Sequence, residues 1–165
     1  MEQTVVSPPK VVRVIEPTVS FKESVKRSCR ALRVAAYCRV STKQEEQLNS
    51  YENQVEHYTH RINAENGWTL EGIYADKGIS GTSVKKRDEF NRMIRRCKQG
   101  KIDMIITKSI ARFARNTVDC LKYVRLLNEL GVDVYFEEQG IHSNQPGAEF
   151  YITIYGSIAQ SESEN

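Results

Sequence analysis

From Leu32 onward the sequence alternates between two periods, and that alternation limits the fold more than any other feature. Short runs rich in apolar and β-prone residues, at 32–39, 69–75, 102–107 and 132–136, read as strands. Between them lie segments whose apolar residues recur every three or four positions. Leu48, Tyr51, Val55, Tyr58 and Ile62 form a stripe along a helix at 44–66. Phe90, Met93, Ile94 and Cys97 do so at 88–99, and Val118, Leu121, Leu127 and Leu130 at 117–130. Each helical pattern stops at a glycine, namely Gly67, Gly100 and Gly131. Strands that alternate with helices predict a mostly parallel sheet covered on both faces.

The two ends of the chain depart from this pattern. Residues 1–30 hold Pro8, Pro9 and Pro17 and scattered valines without a period. They read as an arm, flexible or loosely docked through 11–15. Residues 150–155 have strand-like composition. Yet Phe150, Ile154 and Ile158 are spaced by four and no proline lies between Ala148 and Glu162, so a helix from about Gly147 to the last residue is expected. It has no stop signal, which suggests a helix cut by the end of the chain.

With 165 residues the chain is long enough for one domain with a real core. No apolar run reaches transmembrane length and no signal-peptide pattern is present, so a cytoplasmic protein without membrane association is expected. The four cysteines, Cys29, Cys38, Cys97 and Cys120, form no CxxC pair and read as reduced structural residues. His57 and His60 are three apart on a helical pattern without an evident third ligand; surface histidines fit better than a zinc site.

The net charge of +3 conceals a polarised distribution. Residues 83–101 hold eight Lys/Arg against two acids, and 108–125 hold five against one. Residues 126–165 hold seven acids and no Lys or Arg. A basic face toward an anionic partner is one reading, and a solvated helix side that happens to be basic is the other.

Three strand ends concentrate polar chemistry. The first strand runs out into Tyr37-Cys38-Arg39-Val40-Ser41-Thr42. Sites in open α/β sheets form at the carboxyl ends of strands, so Arg39 and Ser41 would project there together. Locally, Ser41 reads equally well as a helix N-cap, and Thr42 with Glu45 matches a capping box. The third strand leads into Lys108-Ser109-Ile110-Ala111-Arg112-Phe113-Ala114-Arg115-Asn116, where Arg112 and Arg115 would leave one face of a helical turn. Arginine suits phosphate because its planar fork binds two oxygens at once. Solvent-facing arginines over a buried Ile110, Phe113 and Ala114 are the plainer alternative. The second strand leads into a Gly- and Ser-rich loop from Asp76 that ends in Lys85-Lys86-Arg87. Neither a P-loop nor a dinucleotide fingerprint occurs anywhere in the chain.

Taken together, these motifs resemble those of the serine recombinases, the resolvase/invertase family. The resemblance runs in order through Tyr37 to Thr42, the Gln54 region, Asp76 to Gly81, Arg87, Arg112 to Asn116 and Ser157 to Glu162. The wording from Glu46 to Gln54 is similar to the large serine recombinases of phages and mobile elements. The resemblance implies a three-layer α/β/α sandwich around a mixed, mostly parallel five-stranded sheet, with a short fifth strand near 140–143. It implies a catalytic domain at 31–146 and the start of a long dimerisation helix at 147–165. It implies Ser41 as nucleophile on a DNA phosphodiester, giving a 5′-phosphoserine followed by strand exchange and religation. Arg39, Arg87, Arg112 and Arg115 would hold the phosphate, and Gln54 and Asp76 would belong to the same site. Lys77, Lys85, Lys86 and Lys108 would contact the DNA backbone. Double-stranded DNA, a homodimer and a synaptic homotetramer are the partners implied, with no cofactor, metal or ATP. Ala111 departs from the resemblance, standing where members of that family usually carry Asp or Ser. It supports the alternative, a non-catalytic nucleic-acid-binding or regulatory domain on the same fold.

Overall fold

The computed structural model describes residues 30–40, 44–77 and 87–164. The expected arm at 1–30 lies outside them except for Arg30, so the fold concerns the unit that begins at Ala31. Its elements are β1 (Leu32–Val40), α1 (Gln44–Asn63), β2 (Trp68–Lys77), α2 (Asp88–Lys98), β3 (Met104–Thr107), α3 (Ile110–Phe113), α4 (Thr117–Glu129), β4 (Asp133–Phe136), β5 (Ile141–His142) and α5 (Ala148–Glu164). The sheet order is β2-β1-β3-β4-β5. The first three pairings are parallel and β4 with β5 is antiparallel. This is the mixed, mostly parallel five-stranded sheet expected, and the segment at 150–155 is helical.

The central strand β1 shows why the sheet is covered on both sides. Val34 to Cys38 are all buried, and their side chains alternate between two cores. Val34, Ala36 and Cys38 join Met104 and Ile106 beneath Tyr58 and Ile62 of α1. Ala35 and Tyr37 join Ile105, Val134 and Phe136 on the other face, which α2, α3, α4 and α5 cover. That second core contains an aromatic chain in which Tyr37, Phe90, Phe113 and Phe136 meet edge to face at centroid distances of 5.1 to 6.3 Å. Phe90 and Phe113 are fully buried, so truncating either to Ala would cost about 3–5 kcal/mol.

One irregularity decides which way β2 presents its end. Val34 pairs with Leu70 but Ala35 pairs with Gly72, so Glu71 is an extra residue in a β-bulge. Before the bulge Trp68 and Leu70 face α1, and after it Ile73 and Ala75 do. Tyr74 is thereby turned into the opposite core. Asp76, two residues on, follows Tyr74 to that face. Without the extra residue, Asp76 would point toward α1.

Most helix limits fall where the pattern put them. The first helix ends at Asn63, three residues early, and α1's predicted cap Thr42 lies outside the described residues. The larger difference is at 110–115. Ile110 to Phe113 form a four-residue helix, and Ala114 is extended at φ −131° and ψ 162°. Arg112 and Arg115 therefore do not share one helical turn. Phe113 and Ala114 are both buried, and the chain runs extended through Ala114 before Asn116 caps α4. Among the described residues no helix is long and apolar enough to cross a membrane.

Candidate active site

Tyr37, Asp76 and Arg87 form a buried polar network where β1, β2 and α2 meet. Register places Tyr37 opposite Tyr74 and Arg39 opposite Asp76. The Tyr37 hydroxyl donates to Asp76 Oδ2 at 3.1 Å. It accepts from Arg87, whose Nη2 lies at 3.0 Å and Nε at 3.3 Å. Burial first of all pushes the Tyr37 hydroxyl up to about 12, with Arg87 opposing, so it stays a neutral O–H that can donate and accept. Arg87 also donates through Nη2 to the Phe113 carbonyl, and its guanidinium lies 3.6 Å from the Phe90 ring centroid.

Asp76 does a second task there. Its carboxylate accepts the backbone N–H of Glu89 (3.0 Å) and of Phe90 (3.0 Å). These are two of the N–H groups that the start of a helix leaves without partners. Arg87, the residue before α2, provides no side-chain cap. Asp76 supplies it from the end of β2 and is 8% exposed.

Arg39 continues β1 past this network. It is half-buried, and its Nη1 lies 3.5 Å from the Ala111 carbonyl on α3. Its Nε is buried with no hydrogen-bond partner among the described residues. Burial is the main cause that lowers its pKa from the ordinary 12.5, and the like charges of Arg112, Arg87 and Arg115 lower it further. It remains a cation at neutral pH. The guanidiniums of Arg112, Arg87 and Arg115 thus lie within electrostatic reach of Arg39, at the carboxyl end of β1 beside its sheet neighbour β3. Arg112 and Arg115 are exposed while Ile110, Phe113 and Ala114 are buried, so the plainer reading of that segment describes its packing. Gln139 Oε1 accepts the Ile110 N–H at 3.3 Å and fixes the start of α3.

The remaining predicted residues are distributed as follows. Ser41, Lys85 and Lys86 lie outside the described residues, and Lys77 ends β2 with its side chain outside them. Gln54 is half-buried on α1, one turn before Tyr58. Lys108 is exposed after β3, with Glu138 Oε1 at 3.7 Å. His57 and His60 are exposed on α1, and among the described residues no group of three or more His, Cys, Asp or Glu could hold a metal ion. Cys38, Cys97 and Cys120 are buried free thiols. Sequence reasoning missed Tyr37 as a functional group. The one available signal was a hydroxyl inside a buried strand, which demands a partner.

Arginines gathered near adjacent strand ends of an α/β sheet can bind an oxyanion through their planar forks. The family described as "Resolvase, N terminal domain" matches residues 34–165, and the chain belongs to that family. A resolvase/recombinase from Pseudomonas putida is 30% identical over 131 residues, which is 79% of this chain and 65% of that protein. The chain therefore spans just under two thirds of that relative. Among solved structures, a resolvase family site-specific recombinase from Streptococcus pneumoniae superposes with a TM-score of 0.61 at 32% identity, covering 81% of this chain and 89% of that one. The N-terminal catalytic domain of TP901-1 integrase superposes at 0.60 with 25% identity, covering 80% and 97%.

Proposed function

We propose that this chain is the catalytic domain of a site-specific DNA recombinase that uses Ser41 as its nucleophile. The observation that carries the reading is the convergence of Arg39, Arg87, Arg112 and Arg115 beside the strand end that leads into Ser41. Ser41 Oγ attacks the scissile phosphorus, its proton leaves, and the Oγ–P bond forms as the P–O3′ bond breaks. The 3′ oxygen takes up a proton and departs as a hydroxyl. Negative charge on the non-bridging oxygens is met by preorganised guanidiniums, each worth roughly 3 kcal/mol in the barrier. The phosphoserine keeps the energy of the ester, so a 3′ hydroxyl from another strand can reverse the step without ATP. Arg39 belongs to the strand that leads to the serine, and Arg112 to the short helix after the neighbouring strand. Arg87 is held by Tyr37 and Phe113 and so contributes a fixed charge.

Double-stranded DNA in the cytoplasm is the substrate in this reading, with Lys77, Lys85, Lys86 and Lys108 on its phosphates. The dimer forms through α5, where Phe150, Tyr151, Ile154, Tyr155 and Ile158 leave an exposed apolar face. A tetramer of such dimers carries strand exchange.

The test uses the protein at its natural length with nicked duplexes drawn from DNA that flanks its own gene. A covalent protein–DNA adduct that disappears in Ser41→Ala supports the reading. Binding without any adduct supports the second reading, a non-catalytic DNA-binding domain. Ala111 favours that one, because it offers no polar side chain and meets Arg39 through its carbonyl.

A further inference from the structure

A second buried hydroxyl lies on the opposite face of the sheet, and the proposed chemistry does not use it. Tyr58 of α1 is 3% exposed, and its hydroxyl donates to Glu137 Oε2 at 2.9 Å. Burial is the main cause that raises its pKa, and Glu137 reinforces it, so Tyr58 stays a neutral donor. Glu137 is the first residue after β4. Its own N–H donates to the Thr107 carbonyl at 3.1 Å, and the next N–H, of Glu138, donates to the Lys108 carbonyl at 2.9 Å. Gln139 then accepts the first N–H of α3. The three residues 137–139 are therefore fastened along the segment that leads from β3 into Arg112.

Tyr58 connects that segment to α1. Among the side chains described on α1, only Tyr58 and Ile62 are buried, both in its second half. Tyr51, toward the start, is 43% exposed. Among the described side chains of α1, Tyr58 is the buried one nearest Gln54, which precedes it by four residues and shares its face of the helix. Ser41 lies between the end of β1 and the start of the same helix. One carboxylate consequently ties the helix that follows the serine to the segment that carries Arg112.

We infer that Tyr58 and Glu137 are positioning residues. Their hydrogen bond sets the placement of α1, with Gln54, relative to Arg112. This inference rests on the recombinase reading above. Misplacement of reacting groups by a small distance costs rate without necessarily costing affinity. A hydrogen bond that served stability alone would shift the unfolding midpoint and leave the rate of the chemical step unchanged.

The experiment compares wild type, Tyr58→Phe, Glu137→Ala and Glu137→Gln under single turnover at saturating nicked duplex, with DNA affinity measured in parallel. Tyr58→Phe and Glu137→Ala are expected to slow adduct formation by roughly 10-fold with affinity unchanged, and the double variant should be no slower than either. Glu137→Gln keeps an acceptor oxygen and should restore a rate close to wild type. Hydrogen exchange in Tyr58→Phe should rise in the first half of α1 and not in α4. An adduct formed by Tyr58→Phe at the wild-type rate overturns the positioning role alone. A slow Tyr58→Phe with exchange raised equally in every helix overturns it too, because the loss is then global. No adduct from wild type overturns the recombinase reading itself.

Discussion

The Tyr37 hydroxyl donates to Asp76 Oδ2 at 3.1 Å, joining the middle of β1 to the end of β2 where α2 begins. The same carboxylate accepts the N–H groups of Glu89 and Phe90, the second and third residues of α2. Asp76→Ala leaves three donors without this acceptor, whereas Tyr37→Phe removes one donor to Asp76 and the hydroxyl that accepts from Arg87 but leaves the helix cap in place. Urea unfolding should show a loss of roughly 2–4 kcal/mol for Asp76→Ala and about 1 kcal/mol for Tyr37→Phe. Equal losses would contradict the capping role of Asp76.

Gly156 packs α5 against the first residue of α4. A Cβ at position 156 would lie 3.0 Å from Thr117 Cγ2 and 3.1 Å from its Cβ, with Oγ1 nearer still. Thr117 is β-branched and has little rotamer freedom to withdraw. Gly156→Ala gains about 1 kcal/mol of helix propensity but overpacks by about 1–3 kcal/mol, so a net loss of stability is expected. In a Thr117→Ala background that loss should shrink or reverse. A double-mutant cycle with no coupling would show that the two helices do not meet at this point.

Cys38, Cys97 and Cys120 are each at most 3% exposed, and burial pushes each thiol up from 9.0 to about 12. The folded state therefore keeps protons that the unfolded state releases above about pH 9. This contribution to stability is complete below that value and is lost as pH rises toward 12. Tyr37, raised from 10.0 to about 12, adds to the loss in the upper part of the window. The urea midpoint should fall above about pH 9, and mass mapping should find these three thiols unalkylated in native protein near pH 8. Native alkylation at any of them would contradict the packing.

Replacing Arg39 or Arg112 by Lys keeps the charge and loses the fork. Each change is expected to slow adduct formation roughly 100-fold while DNA affinity falls much less, because the loss is confined to the transition state. Equal losses of affinity and rate would make these residues ordinary backbone contacts.

Much of this was legible in the sequence because it is written locally. The alternation of periods located the strands and the longer helices, and the order of strand-end motifs brought Arg39 and Arg112 to neighbouring ends. What escaped depends on contacts distant in the chain. Asp76 caps a helix that starts twelve residues later, and Tyr37 meets Arg87 fifty residues on. No periodicity encodes either. The bulge at Glu71 shifts the pleat by one residue, which pattern reading averages away. The break at Ala114, an extended residue between two helices, interrupts a segment whose apolar spacing is compatible with one continuous turn.

The central claim is that Ser41 becomes covalently joined to DNA. Nicked duplex from the flanks of the protein's own gene, incubated with wild type and with Ser41→Ala, tests it on a denaturing gel followed by peptide mapping of the adduct. The expected result is a 5′-phosphoserine at Ser41 in wild type and no adduct in Ser41→Ala. An adduct on another residue, or DNA binding by wild type without any adduct, would contradict it.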